Sequence, residues 1–249
     1  MDYSQLEKYT CAELKILAEK MDLHIHRGKS ELIRVITDAF KEYEEYKKEK
    51  IDKYERLEQL GEKGKEGTTF LVRNKEGKEY AMKTFRKQKS SKNLNKESDL
   101  QKMAAAMGAS PEVIEIDTVS KYIVMERMDT HLVDLIKKQE GILTKHQQKQ
   151  ILSIYKKLDI ARVFHGDANL LNYMYKGKKL YIIDFGMAKE ITSSLIKKLG
   201  TEIPNMYIMT LGLALKLRDL KYHPSSYSYI VKHLSEDQRS QFGFSITDD

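Results

Sequence analysis

Between Ala161 and Lys189 the chain reads ARVFHGDANLLNYMYKGKKLYIIDFGMAK, and no other stretch limits the possible folds as much. Two aspartates stand where core would be expected. Asp167 follows an apolar run and a His-Gly pair, and Asp184 closes the apolar run Leu180 to Ile183. Asn172 lies five positions after Asp167 and twelve before Asp184. Mg²⁺ is a hard ion that takes oxygen ligands and keeps several waters, so one carboxylate, one amide oxygen and phosphate oxygens suffice to hold it. A second carboxylate left off the metal can accept the proton of an attacking hydroxyl. Two aspartates and an asparagine therefore suit magnesium-dependent phosphoryl transfer, with separate tasks for each.

The rest of the chain must supply a fold that holds them. With 249 residues there is room for one two-lobed domain plus a small module. From Tyr54 the texture is that of strands, in YERLEQLG, TTFLVRN and KEYAMKTF, with glycine-containing turns between them. A helix is expected around Asn95 to Met107, followed by strands in PEVIEID and KYIVMERM. After Asp129 the pattern turns helical, at His131 to Gln139 and Lys145 to Ile160, interrupted by a hairpin in NYMYKGKKLYIID. Sheet first and helices later predicts an α+β domain of two lobes.

The motifs now gathered resemble those of the protein-kinase superfamily over roughly Tyr54 to Leu234. HGDANLLN is similar to the catalytic loop H-R-D-L-x-x-x-N, and IIDFG to the metal-binding D-F-G. The resemblance implies ATP and Mg²⁺ as cofactors, Asp167 as catalytic base, Asn172 and Asp184 as metal ligands, and His165 as a support of the loop. LGEKGKEGTTFLV resembles a glycine-rich loop, its glycines at 61, 64 and 67. Gly64 and Gly67 match the second half of G-x-G-x-x-G, and Gly61 is displaced by one residue. Lys83 of YAMK, sixteen residues after Gly67, would reach the nucleotide phosphates, with Glu97 as its ion-pair partner. YIVMERM resembles the hinge, with Met125 at the gatekeeper position and backbone from Glu126 to Met128 facing adenine.

Three departures qualify the likeness. Asn169 stands where serine/threonine kinases carry a lysine that neutralises charge on the transferred phosphoryl group. Gly166 replaces the arginine that anchors a phosphorylated activation loop, so activity would not need that switch. No A-P-E motif follows, GTEIPNMY at 200–207 being a remnant, and the 63 residues after Gly186 are expected to hold two or three helices, with MYIMTLGLALKL apolar nearly all round as the buried centre of a minimal C-lobe. In this economy the chain resembles the kinase subunit of the KEOPS tRNA-modification complex, whose loop also begins His-Gly-Asp, and the RIO kinases.

The first forty residues form a separate pattern. Leu14, Leu17, Ala18 and Met21, then Leu32, Ile33, Ile36 and Phe40, recur at helical spacing and predict two short amphipathic helices. Thr10 with Glu13 makes a capping box for the first, and Ser30 a cap for the second. Residues 41–53 predict a charged helical linker. LKILAEKMDLHIHRGKSELIRVI resembles a SAP domain, a DNA-binding module; that likeness implies phosphate contacts from Lys15, Arg27, Lys29 and Arg34. A net charge of +7 fits a polyanionic partner, and the single Cys11 excludes an internal disulfide. No apolar run is long enough for a bilayer, so no membrane partner is expected.

The combined expectation is a serine/threonine-protein kinase, acting on protein substrates in cytoplasm or nucleus and tethered to DNA through residues 1–40. SAP-like modules on stripped-down kinases are reminiscent of large DNA viruses, which would extend the setting to a virion. Two alternatives stand beside it: an ATPase or kinase subunit of a larger assembly, as in KEOPS, and a non-catalytic nucleic-acid-binding scaffold.

Overall fold

The computed structural model describes residues 3–24, 28–61, 64 and 66–246. The chain divides into two compact units, Met1–Glu55 with Asn74–Glu76, and Arg56–Arg73 with Gly77–Asp249.

In the first unit a 3₁₀ turn (Tyr3–Lys8) precedes α1 (Cys11–Lys20) and α2 (Lys29–Lys53). The capping box forms as expected: the Thr10 amide donates to Glu13 Oε2 at 2.7 Å, and the Glu13 amide to Thr10 Oγ1 at 3.3 Å. Leu14 and Ala18 of α1 bury against Leu32 and Ile36 of α2, with Leu6 closing the cluster. Two sequence expectations change. Gly28, extended, occupies the N-cap of α2, and Ser30 sits within its first turn. The expected linker is no separate element: α2 runs unbroken through residues 41–53, since that stretch contains neither glycine nor proline and is rich in helix-favouring Lys and Glu.

The second unit begins with an antiparallel sheet in the order β1-β2-β3-β5-β4. Its strands are β1 (Tyr54–Leu60), β2 (Gly67–Asn74), β3 (Glu79–Phe85), β4 (Val113–Asp117) and β5 (Tyr122–Glu126), with α3 (Ser91–Ala106) inserted after β3. Tyr80, Ala81 and Met82 of β3 and Tyr122, Ile123 and Val124 of β5 are all buried, which fixes these two strands at the centre. Ser90 caps α3, accepting the Asn93 amide, and turns Leu94, Glu97, Leu100 and Gln101 inward. One residue on that inward face is a carboxylate, which burial alone would forbid.

The helical part follows. Strand β6 (Thr130–His131) leads into α4 (Leu132–Lys138) and α5 (Lys145–Ile160), whose Ile151, Tyr155 and Leu158 form the middle of the larger core. Strand β7 (Val163–Phe164) enters the catalytic-loop segment, and β8 (Tyr173–Lys176) with β9 (Lys179–Ile182) makes the expected hairpin. Tyr155 and Tyr173 share a buried hydroxyl contact of 2.7 Å. Strand β10 (Lys189–Glu190) pairs with β7. Four short helices complete the described chain, α6 (Ser193–Leu199), α7 (Thr210–Asp219), α8 (Ser228–Val231) and α9 (Glu236–Phe242). That exceeds the two or three expected, because residues after Gly186 form helices of only four to ten residues. Helix α7 is buried along one face, Leu213, Ala214 and Leu217, rather than all round; Lys216 and Arg218 are exposed.

Candidate active site

Lys83 answers the buried carboxylate of α3. Its Nζ donates to Glu97 Oε1 at 2.8 Å and to Asp184 Oδ1 at 2.8 Å, so one ammonium joins the central sheet, the inserted helix and the D-F-G segment. Burial pushes the Lys83 ammonium down, but Glu97 and Asp184 outweigh it and hold it above its ordinary value. Asp184 moves the other way: burial pushes it up, and Lys83 overrides this to keep it below the usual carboxylate range. Removing one partner of the buried Lys83–Glu97 pair costs about 3–5 kcal/mol, since the other charge is left stranded.

A second lysine, not among the residues singled out above, shares this cluster. Lys89 lies in the dense basic run RKQKSSKNLNK, and its Nζ reaches Glu97 Oε2 at 2.8 Å and Glu66 Oε2 at 2.9 Å. Glu97 thus divides its two oxygens between two lysines. The available signal was the surplus itself: a buried glutamate with two lone oxygens needs more than one donor.

Asp167 sits in the loop between β7 and β8. Its Oδ2 accepts from Asn172 Nδ2 at 2.9 Å, while Oδ1 faces Lys216 Nζ at 3.5 Å. Below the loop, fully buried His165 places Nε2 3.0 Å from the Ile183 carbonyl and stacks edge-on with Phe185, ring centroids 5.0 Å apart. Burial pushes its imidazole down in pKa, so it is a neutral strut. Asn205 anchors the same loop from the other side. Its Oδ1 accepts the His165 amide at 3.0 Å, and its Nδ2 donates to Val163 O and Asp159 Oδ1, both at 2.7 Å. Gly166 has φ +78°, and a Cβ there would meet Met187 O at 3.4 Å. A left-handed backbone in so tight a place favours glycine, which supplies a conformational reason for the missing arginine.

The donor set for a cation fits magnesium. Asp184 adopts a left-handed conformation, φ 68°, a strain that persists where surroundings fix it and that clusters at functional sites. One of its oxygens is held by Lys83, and the Asn172 amide has spent its nitrogen on Asp167, so a carboxylate oxygen and an amide oxygen remain for a hard ion. No group of three or more His, Cys, Asp or Glu side chains suited to a metal occurs among the described residues, which leaves phosphates and water to complete such a sphere.

The predicted nucleotide-binding residues fall at the open edge of the sheet. Gly61 turns the chain after β1 with φ +71°. Gly64 lies in the loop, and Gly67 opens β2, where a Cβ would stand 1.9 Å from the Thr84 carbonyl. Gly67 is therefore glycine because β2 and β3 approach closely. Glu66, beside it, brings its carboxylate within 2.8 Å of where a Gly186 Cβ would be, so the loop reaches down to the D-F-G turn. At the hinge the Glu126 amide is taken by Glu112 O at 2.9 Å, its carboxylate pairs with Lys176, and Met128 is buried. Met125 Sδ lies 3.6 Å from Gln101 Nε2 on α3, which suits a gatekeeper between strand and helix.

The residues expected to meet DNA occupy the first unit. Lys15 is half-buried on α1 and Arg34 is exposed on α2, 3.7 Å from Glu31. Lys29 Nζ donates to Glu7 O at 2.8 Å, a contact within the unit. Arg27 lies outside the described residues.

A lysine tied to both a helix glutamate and a metal-type aspartate, beside a base steadied by asparagine, is equipped for moving a phosphoryl group from a nucleotide. Comparison with known families agrees: the protein kinase domain matches residues 54–204, well over half of the chain. The chain belongs to the protein kinase family. A comparison with curated proteins found no match.

Proposed function

We propose that the chain is an ATP- and Mg²⁺-dependent protein kinase that phosphorylates serine or threonine, and that residues 1–40 bring it to DNA. The observation that carries the catalytic part is the double contact of Lys83, at 2.8 Å to Glu97 and 2.8 Å to Asp184. It is a closed arrangement, in which one ammonium ties β3, α3 and the D-F-G segment together. Bound Mg²⁺ would supply charge neutralisation and orientation of the phosphates from Asn172 and Asp184. Asp167, its Oδ2 fixed by Asn172, accepts the hydroxyl proton of the acceptor. Acid hydrolysis of labelled product tests the choice of acceptor: phosphoserine or phosphothreonine is expected, and phosphotyrosine alone would refute it.

The DNA part is supported by the paired-helix unit, by exposed Arg34 and by the net charge of +7. Affinity for duplex DNA should fall with salt, and Arg34→Ala should lower the slope of log K against log salt by about 1. A salt-independent affinity, or none, would remove DNA from the account.

A second reading, a kinase or ATPase subunit of a larger assembly, is favoured by apolar side chains around the catalytic segment. Leu171 is 56% exposed and Met187 64%, unusual for residues flanking a base and a metal ligand. ATP hydrolysis without transfer to added protein would favour it.

A further inference from the structure

We propose that Lys216 of α7 supplies the cation that the catalytic loop itself lacks. The proposal rests on the phosphotransferase reading above and adds a residue to that site. Asn169 cannot serve, for it is neutral and its Oδ1 is spent accepting the Leu171 amide at 3.2 Å, capping the short turn that carries Asn172. Lys83 is committed to Glu97 and Asp184, and Lys89 to Glu66 and Glu97. Among the described residues, Lys216 is the one cation within 4 Å of the Asp167 carboxylate, at 3.5 Å.

The fold puts it there. Helix α7 lies directly on the catalytic loop: a Cβ on Gly212 would stand 3.6 Å from Ala168 Cβ, an ordinary contact. Lys216 is four residues on, hence on the same face one turn along. Residues 210, 213, 214 and 217 bury the opposite face and fix the rotation of the helix, so Lys216 is presented to Asp167 by packing rather than by chance. The side chain is 49% exposed, which leaves the ammonium free to shift by an ångström or two as substrates arrive. The protein kinase match ends at residue 204, so this cation comes from beyond the matched part.

Its task follows from the chemistry. The acceptor oxygen forms a bond to the γ-phosphorus as the bond from that phosphorus to the β,γ-bridging oxygen breaks. ADP leaves with the bond's electron pair, and the hydroxyl proton passes to Asp167. Negative charge on the phosphoryl oxygens in transit gains from a cation fixed beside the base, an effect that belongs to the transition state more than to ground-state binding. Lys216 therefore acts on kcat, and through Asp167 it also positions the base.

The test compares wild type, Lys216→Met, Lys216→Gln, Lys216→Arg and the double variant Asn169→Lys with Lys216→Met, in full-length protein with Mg-ATP. Methionine and glutamine both suit an exposed helix position, so two neutral variants guard against a local fault in α7. The neutral variants should lose about 10- to 100-fold in kcat with KM for ATP within about twofold. Arginine should keep most of the rate. Lysine at 169 should restore much of it, which no purely structural role of Lys216 would allow. Neutral variants as fast as wild type would overturn the role of Lys216 while leaving the kinase reading intact. A loss that neither arginine nor Asn169→Lys repairs would also overturn it. Wild type that neither transfers phosphate nor hydrolyses ATP would bring down the kinase reading and this proposal with it.

Discussion

Lys83 holds two carboxylates at once, and each contact does a different job. Glu97 fixes where the ammonium stands, and the contact to Asp184 ties the D-F-G segment to the sheet. Lys83→Met should abolish transfer and leave Glu97 with Lys89 alone, at a cost of about 3 kcal/mol in stability, readable by urea unfolding. The pH dependence of the cluster has a definite sign. Lys83, raised in the fold, contributes stability that is full below its ordinary 10.5 and is lost as pH rises through its higher folded value. Asp184, lowered, contributes above its ordinary 3.8 and loses it as pH falls through its folded value. The cluster is thus intact from about pH 4 to pH 10. His165 narrows the acid side. Its folded pKa lies below the ordinary 6.5, so its contribution is full above 6.5 and declines as pH drops from there towards the folded value. Thermal unfolding should show stability falling as soon as pH passes below 6.5, and His165→Asn, though less stable throughout, should lose that slope. An unchanged slope would assign the acid loss to other groups.

Elements explain why some of this was legible in the sequence. The aspartate-asparagine-aspartate triplet could be read from its residue types and spacing, and Lys83 and Glu97 from the likeness of YAMK and the helix after it to kinase motifs. Lys89 and Lys216 could not, because no motif marks them: Lys89 meets Glu66 and Glu97, and Lys216 meets Asp167, only when elements dock. The same holds for Asn205. In the sequence it belongs to a remnant of a lost motif; in the fold it joins the catalytic loop to α5 through buried Asp159, which also accepts the Asn205 and Met206 amides at 3.0 and 2.9 Å. Burial lifts the Asp159 pKa despite these donors, so it has none to spare. Asn205→Leu should cost about 2–4 kcal/mol and slow transfer together, because the loop carrying Asp167 loses its anchor. Gly67→Ala is a sharper case: its Cβ would meet the Thr84 carbonyl at 1.9 Å, so β2 must move away from β3. A loss of about 1–3 kcal/mol is expected, with full stability in the variant contradicting the close approach. The helix α2 was half legible. Its pattern predicted two pieces because apolar periodicity stops near Phe40, yet helix propensity without a breaker carries it to Lys53.

The whole molecule pairs the cluster of Lys83, Glu97, Asp167, Asn172 and Asp184 with a chain after Gly186 whose α-helices have only four to ten residues. Economy has a consequence for activation. With Gly166 in a left-handed turn and no arginine in the loop, the site forms from ion pairs that are already made, so phosphatase treatment should leave the rate unchanged. A large drop after such treatment would place a phosphate in the switch after all. On the reading proposed above, residues 1–40 serve DNA rather than catalysis, so the activity of residues 54–249 should not require them. The most direct test of the central claim is transfer of labelled γ-phosphate from Mg-ATP by the full-length protein, to itself and to a basic test protein, beside Asp167→Asn. The account predicts labelling by the wild type and a loss of about a thousandfold or more in the variant. Equal labelling by both would show that Asp167 is not the base, and that the site assembled around it does other work.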